Sequence, residues 1–183
     1  MDSSGGTMFY PTSEFPSLSP LVENHEIIAR EMLALPPGAF VNWPEAIYRG
    51  SWRVFPFYRF GEKVDACCRL CPQTTAMIEQ VEGMVTAGFS KLAPGVEIHP
   101  HRGYTGNVLR FHLGLIGGDQ CGLKVGDETR TWHPGSNFVF DDTVQHSAWN
   151  RGGADRVILL MDILRPGADR VECPPHLRHL AFN

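Results

Sequence analysis

No stretch of this chain is apolar over anything near the ~18 residues that a membrane-spanning helix needs. The start, MDSSGGTMFYPTSEFPS, lacks the basic opening and the apolar run of a secretory signal. Together these absences lead us to expect a cytoplasmic protein with no membrane partner. Basic charge is also in short supply. Sixteen Lys and Arg stand against 20 Asp and Glu, a formal net charge of -4, which argues against nucleic acid as a partner. Cysteine is sparse and odd in number: Cys67, Cys68, Cys71, Cys121 and Cys173 fit reduced thiols better than a disulfide framework. Cys68-Arg69-Leu70-Cys71 has the CxxC spacing, but no second pair exists to complete a zinc site.

What is present suits one domain over residues 1–183, since this length buries a single core and asks for no second one. Residues 1–18, rich in Ser, Gly and Pro, read as a loosely held N-terminal arm, with Phe9, Tyr10 and Phe15 as the side chains able to pin it. Ser19-Pro20 offers an N-cap followed by proline, and Leu21, Val22, Ile27, Ile28 and Met32 recur at helical spacing. One amphipathic helix is therefore predicted to about Leu33, before Pro36-Pro37-Gly38, and a shorter one from about Thr74 to Glu82, stopped by Gly83.

From about Met84 the texture changes to short alternating segments, punctuated by Pro94-Gly95, Gly117-Gly118-Asp119, Gly126-Asp127, Pro134-Gly135 and Gly152-Gly153. That predicts antiparallel strands. In Leu109–Leu115 the leucines and Phe111 share one face, while Arg110, His112 and Gly114 share the other. In Arg156–Asp162, Arg156 shares its face with Ile158, Leu160 and Asp162. A mainly β fold with flanking helices accommodates both patterns as a two-sheet, cupin-like jelly-roll barrel: one sheet face packs on helices and the other lines a cavity.

Two histidines then stand out. His101 in HPHRGYTGN and His146 in FDDTVQHSAWN each sit where a strand meets a loop, the places where rigid scaffolds carry function. A sheet can bring both imidazoles onto one divalent metal ion, ferrous iron among them. Arg156, ten residues after His146, is suited to fork a carboxylate, a contact that a lysine cannot reproduce. His99 lies two residues before His101, so strict alternation puts both on one face and makes His99 a rival ligand. Asp141 and Asp142 belong to the turn before His146 and are expected to hydrogen-bond within it. His25, His133, His176 and His179 carry no assigned role.

The segments SKLAPGVEIHPHRGYTGNVLRFHLGLI (Ser90–Ile116), WHPGSNFVFDDTVQHSAWN (Trp132–Asn150) and RVILLMDILRP (Arg156–Pro166) closely resemble the aspartyl/asparaginyl β-hydroxylases. A thinner match reaches back to Gly50-Ser51-Trp52. The resemblance implies a double-stranded β-helix and an Fe(II)- and 2-oxoglutarate-dependent oxygenase that consumes O2 and releases succinate and CO2. It implies that His101 and His146 bind the iron. Ser90 and Arg156 would hold the distal carboxylate of 2-oxoglutarate, and Arg110 and His112 its metal-chelating end. No protein acid or base is implied.

Non-haem iron sites often take a third ligand from a carboxylate two residues after the first histidine, but this chain has Gly103 there, and the hydroxylases it resembles also lack this acid. The same arrangement resembles the 2-oxoglutarate-dependent halogenases, in which chloride takes the open position. A non-catalytic cupin-like binding module is a further alternative. Family members acting on aspartyl side chains have basic residues two before Ser90 and two before Arg110, where this chain has Gly88 and Val108. A β-carboxylate substrate is therefore in doubt, unless Arg49, Arg53 or Arg102 supplies a different grip. The expected substrate is an amino acid, free or on a carrier protein, or a small peptide. Trp52, Phe55, Phe57, Tyr58 and Phe60 either line its wall or pack the core.

Overall fold

A computed structural model describes residues 8–178. The chain folds as β1 (Phe9–Tyr10), α1 (Ser19–Glu23), α2 (His25–Leu33), β2 (Val41–Asn42), β3 (Tyr48–Arg49), β4 (Trp52–Arg59), β5 (Glu62–Lys63), α3 (Asp65–Leu70), α4 (Pro72–Ile78), β6 (Met84–Leu92), β7 (Glu97–His101), β8 (Val108–Ile116), β9 (Cys121–Val125), β10 (Glu128–Arg130), β11 (Asn137–Phe140), β12 (His146–Asn150), β13 (Arg156–Leu164) and α5 (Pro175–Arg178). All pairings are antiparallel. One sheet runs β1-β11-β8-β13-β6-β4-β2, with β5 on β4, and the other runs β10-β9-β12-β7-β3. The two make the expected jelly-roll barrel. No helix among the described residues is long and apolar enough to cross a membrane.

Two apolar clusters follow from strand alternation. Leu109, Phe111, Leu113 and Leu115 of β8 and Leu159 and Met161 of β13 pack outward against Leu21, Ile28 and Met32 of the helices. On the inner face, Trp52, Leu92, Ile98, Leu123, Phe140 and Ile158 join the two sheets. Phe55 and Phe57 of β4 belong to the outer cluster with Phe89.

Several expectations are corrected. From Phe9 onward the loosely held arm is part of the body: Phe9 and Tyr10 pair with Phe140 and Val139, and Phe9 and Leu18 are buried. Residues 1–7 lie outside the described residues. The single predicted helix is broken at Asn24, whose side chain donates to the Pro20 carbonyl (2.8 Å) and competes with regular helical bonding. Ser19 makes no side-chain cap; it is already the first helical residue. The second helix begins at Pro72 and ends at Ile78, short of Gly83, and α3 precedes it unforeseen. Strand structure also begins before Met84, because β4 pairs with β6 along its length.

Candidate functional site

His101 ends β7 and His146 opens β12, and the two are direct register partners across the ladder. Their ring centroids lie 4.2 Å apart. The backbone also sets which nitrogen is free. His101 Nδ1 donates to the His99 carbonyl (2.8 Å) and His146 Nδ1 to the Val144 carbonyl (2.9 Å). Each bond assigns the proton to Nδ1 and leaves the Nε2 lone pair for a ligand, the arrangement that metal-binding imidazoles need. Burial, then the neighbouring His101 and Arg110, push His146 down to about 3, and burial lowers His101 as well. Both rings are therefore neutral near pH 7.

Strict alternation had placed His99 and His101 on one face, and a bulge overturns it. Ser147 alone separates His146 from Ala148 on β12, whereas His99 and Pro100 together separate Ile98 from His101 on β7. The extra residue turns His101 inward and leaves the His99 side chain exposed. His25 and His133 lie away from the pair: His25 Nδ1 contacts the Val22 carbonyl, and His133 is exposed beside Asp119. His179 and the side chain of His176 lie outside the described residues.

Deeper in the barrel, Arg156 is 1% exposed, and no carboxylate among the described residues pairs with it. Its Nε has no hydrogen-bond partner, and its guanidinium lies 4.6 Å from the centre of the Trp132 ring. Burial pushes its pKa down to about 9. The Trp132 Nε1 and both ring nitrogens of buried His112 are likewise unpartnered. Burial, then the charges of Arg156 and Arg110, hold the His112 ring neutral. Ser90 lies on the adjacent strand β6, two residues before Leu92, the register partner of Arg156, and its Oγ accepts from Trp52 Nε1 (2.9 Å). A buried cation, an indole N–H, a neutral imidazole and a hydroxyl without an acid among them form a site whose unmet need is an anion. A dicarboxylate beside a His-held metal fits that donor set.

Arg110 is differently placed. Its Nε and Nη2 fork the two oxygens of Asp162 (2.8 and 3.1 Å), and Thr86 Oγ1 and Tyr104 OH donate to the same acid (3.1 Å each). Nη2 also lies 3.2 Å from Asp142 Oδ2, as a charge pair without hydrogen-bond geometry. Burial opposes the charge on Arg110, but Asp162 and Asp142 more than offset it and keep the pKa above its ordinary value. Only Nη1 stays outside this fork.

The expected turn bonding divides between the two aspartates. Asp141 accepts from the Thr143 backbone N–H (3.0 Å) and hydroxyl (2.6 Å) and pairs with Arg165. Asp142 does not join the turn network through its side chain. It is fully buried, with both oxygens lacking hydrogen bonds, and burial pushes its pKa up to about 6. Its carboxylate fills the space that a Cβ at Gly103 would occupy. Glycine at this position is thus required sterically, and a third ligand cannot come from there.

A cavity of about 290 Å³ opens beside His101 and Arg110 and reaches Ser90. Of the aromatics before the barrel, Trp52, Tyr58 and Phe60 line it, while Phe55 and Phe57 point to the outer core. Arg102 lines its mouth, where Nη1 donates to the Thr143 carbonyl; Arg49 and Arg53 are exposed and not among its walls. Sequence reasoning missed Asp162, Tyr104, Asp142 and Trp132 as parts of the site. Asp162 left a trace in sharing the Arg156 face, and Asp142 in the turn before His146, where it was expected only to hydrogen-bond within the loop. The described residues contain no group of three or more His, Cys, Asp or Glu able to hold a metal.

Residues 22–166 match a family described as aspartyl/asparaginyl beta-hydroxylase. The chain is 36% identical over 118 residues to the ornithine lipid ester-linked acyl 2-hydroxylase of Rhizobium tropici, covering 63% of this chain and 42% of that protein. It is 30% identical over 158 residues to the aspartyl/asparaginyl beta-hydroxylase of Homo sapiens, covering 80% of this chain and 21% of that one. Among solved structures, a cupin-2 domain from Rhodospirillum rubrum aligns at a TM-score of 0.48 and 13% identity, over 76% of each chain.

Proposed function

The chain belongs to the aspartyl/asparaginyl β-hydroxylase family, and from that premise we propose that it is an Fe(II)- and 2-oxoglutarate-dependent hydroxylase. It inserts one oxygen atom of O2 into an unactivated C–H bond, and the other enters succinate as 2-oxoglutarate loses CO2. The substrate is small, carrier-bound or peptidic, matching the size of the cavity. The relatives named above act on a lipid acyl chain and on aspartyl or asparaginyl groups.

One observation carries this reading: two neutral imidazoles share a ladder position beside a buried guanidinium that has no acid of its own. In the proposed assignment, His101 and His146 hold iron through Nε2. Arg156 and Ser90 take the distal carboxylate of 2-oxoglutarate, and Arg110 Nη1 and His112 the chelating end. Bound iron and cosubstrate would supply O2 activation and C–H cleavage. The chain supplies orientation and exclusion of water: Phe140 packs on His146 and Trp132 on His112, and no side chain is needed as a general base. The halogenase alternative is disfavoured by the Asp142 carboxylate beside Gly103, whose charge opposes a halide there.

The test is succinate release from purified protein supplied with Fe(II), ascorbate, 2-oxoglutarate and a broad panel of candidate substrates, with His146→Ala as control. Turnover is expected from the wild type only. Equal background release from both proteins across the panel overturns the reading, and so would a binding module without turnover. A product gaining chlorine in place of oxygen would favour the halogenase.

A further inference from the structure

Resting on the hydroxylase reading, we propose that the group this protein presents to the metal is a saturated aliphatic chain, and that the Leu160-Gly88-Pro56 row selects it. Three neighbouring strands build the cavity wall in rows, because Gly88 is the register partner of Leu160 on one side and of Pro56 on the other. The next row inward is Ile158-Ser90-Val54, and the next outward begins with Asp162 and Thr86. Between the polar Ser90 row and the polar mouth, this middle row carries no polar side chain, and Leu160, Gly88 and Pro56 all line the cavity.

Chain geometry keeps the row apolar. A Cβ at Gly88 would lie 2.9 Å from the Phe55 carbonyl oxygen and 3.3 Å from Val54 Cγ2, so no gripping side chain can be added there without moving β4. Pro56, opposite, has no N–H to offer a guest. Trp43 stacks on Trp52 with centroids 4.1 Å apart, and Val54 and Ile47 extend the same wall.

Charge points the same way. Of the cations that line the cavity, Arg110 is matched through Nε and Nη2 by Asp162 and Asp142, Arg102 donates to the Thr143 carbonyl and Arg59 to the Leu177 carbonyl. A substrate carboxylate, in addition to the cosubstrate end assigned to Arg110 Nη1, would be stripped of water beside Asp162 and Asp142 with no further cation among the described residues to meet it there. A hydrocarbon chain meets no such penalty and gains about fourfold in affinity per buried methylene, ~0.8 kcal/mol each. The volume of the cavity lies near the lower end of the ~300–1,000 Å³ typical of small-molecule sites, so a chain segment enters and the rest of the substrate stays outside.

The test uses N-acylglycine amides of increasing chain length, from butyryl to dodecanoyl, against an acetylated Gly-Asp-Gly amide. Binding to the metal-free protein is followed by tryptophan fluorescence, which the Trp43–Trp52 pair in the wall should dominate. Affinity is expected to rise about fourfold per methylene and then level off when the cavity is full. Leu160→Phe should bring the plateau to shorter chains, and Leu160→Arg should weaken acyl binding and favour the aspartyl peptide. The wild-type series needs no variant to fold. Chain-length-independent binding, or tighter binding of the aspartyl peptide, overturns the proposal. Mass analysis of loaded reactions separates the two readings. Chain-dependent binding without succinate leaves the slot standing and removes the hydroxylase, whereas oxygenation of the aspartyl peptide alone does the reverse.

Discussion

Replacing Arg156 with methionine should make the ligand-free protein more stable and deaf to 2-oxoglutarate. A guanidinium whose pKa falls from 12.5 to about 9 on folding carries a burial penalty on the order of 5 kcal/mol, at ~1.4 kcal/mol per tenfold. Stacking on Trp132 offsets only part of it, ~1–2 kcal/mol. Exchanging a buried ion for an apolar side chain of similar size commonly returns ~1–4 kcal/mol. In a protein of this length that is a rise in Tm of roughly 2–10 °C. The comparison is made by thermal melts of both proteins with and without 2-oxoglutarate, with Mn(II) in place of iron to prevent turnover. At a hundredfold excess over Kd the wild type should gain ~2.7 kcal/mol, and the variant nothing measurable. If Arg156→Met is less stable than wild type without ligand, or if both proteins shift alike with 2-oxoglutarate, the assignment of Arg156 as an unpaired anchor is wrong.

Two expectations follow from other parts of the site. Asp162→Ala strands Arg110, Tyr104 and Thr86 together and should cost about 3 kcal/mol in urea unfolding, the lower end of the range for breaking a buried pair because Asp142 remains; a loss under ~1 kcal/mol would show the network to be dispensable. The metal-free protein should lose stability as pH falls below 6.5: the unfolded chain then takes up a proton that folded His146, at about 3, refuses, which amounts to about 2 kcal/mol between pH 6.5 and 5. Asp142, raised to about 6 from 3.8, binds its proton better when folded and so acts in the opposite direction below pH 6; the test is therefore the difference between wild type and His146→Gln in EDTA, and parallel pH profiles would rule the His146 contribution out.

The barrel was legible because β8 alternates cleanly, with apolar side chains on the helix side and Arg110 and His112 on the other, and because β13 alternates less cleanly but still puts Arg156 and Asp162 on one face, together with Ile158 and Leu160. β4 was not, since a proline inside a run speaks against a strand, and here Pro56 sits opposite Gly88 next to a bulge. His101 was found by its motif but for a face that alternation alone would have shared with His99. The bulge that separates them is a property of two strands together, and neither strand's sequence contains it. Asp142 was misread for a similar reason. The turn that carries it is visible in the sequence, but the fact that its carboxylate fills the space beside Gly103 depends on where a second loop passes. The unpaired state of Arg156 is likewise a statement about every acid that does not come near it.

His101 and His146 face each other as rungs of one antiparallel ladder, so their separation is set by main-chain bonds and not by long, freely rotating arms. A newly made chain that paired these strands one residue out of step would send one imidazole to the opposite side of the sheet. Such a molecule would have no twin nitrogens to offer. Register and the offer of two converging nitrogens are thus a single property of the ladder, and a slipped copy forfeits both at once.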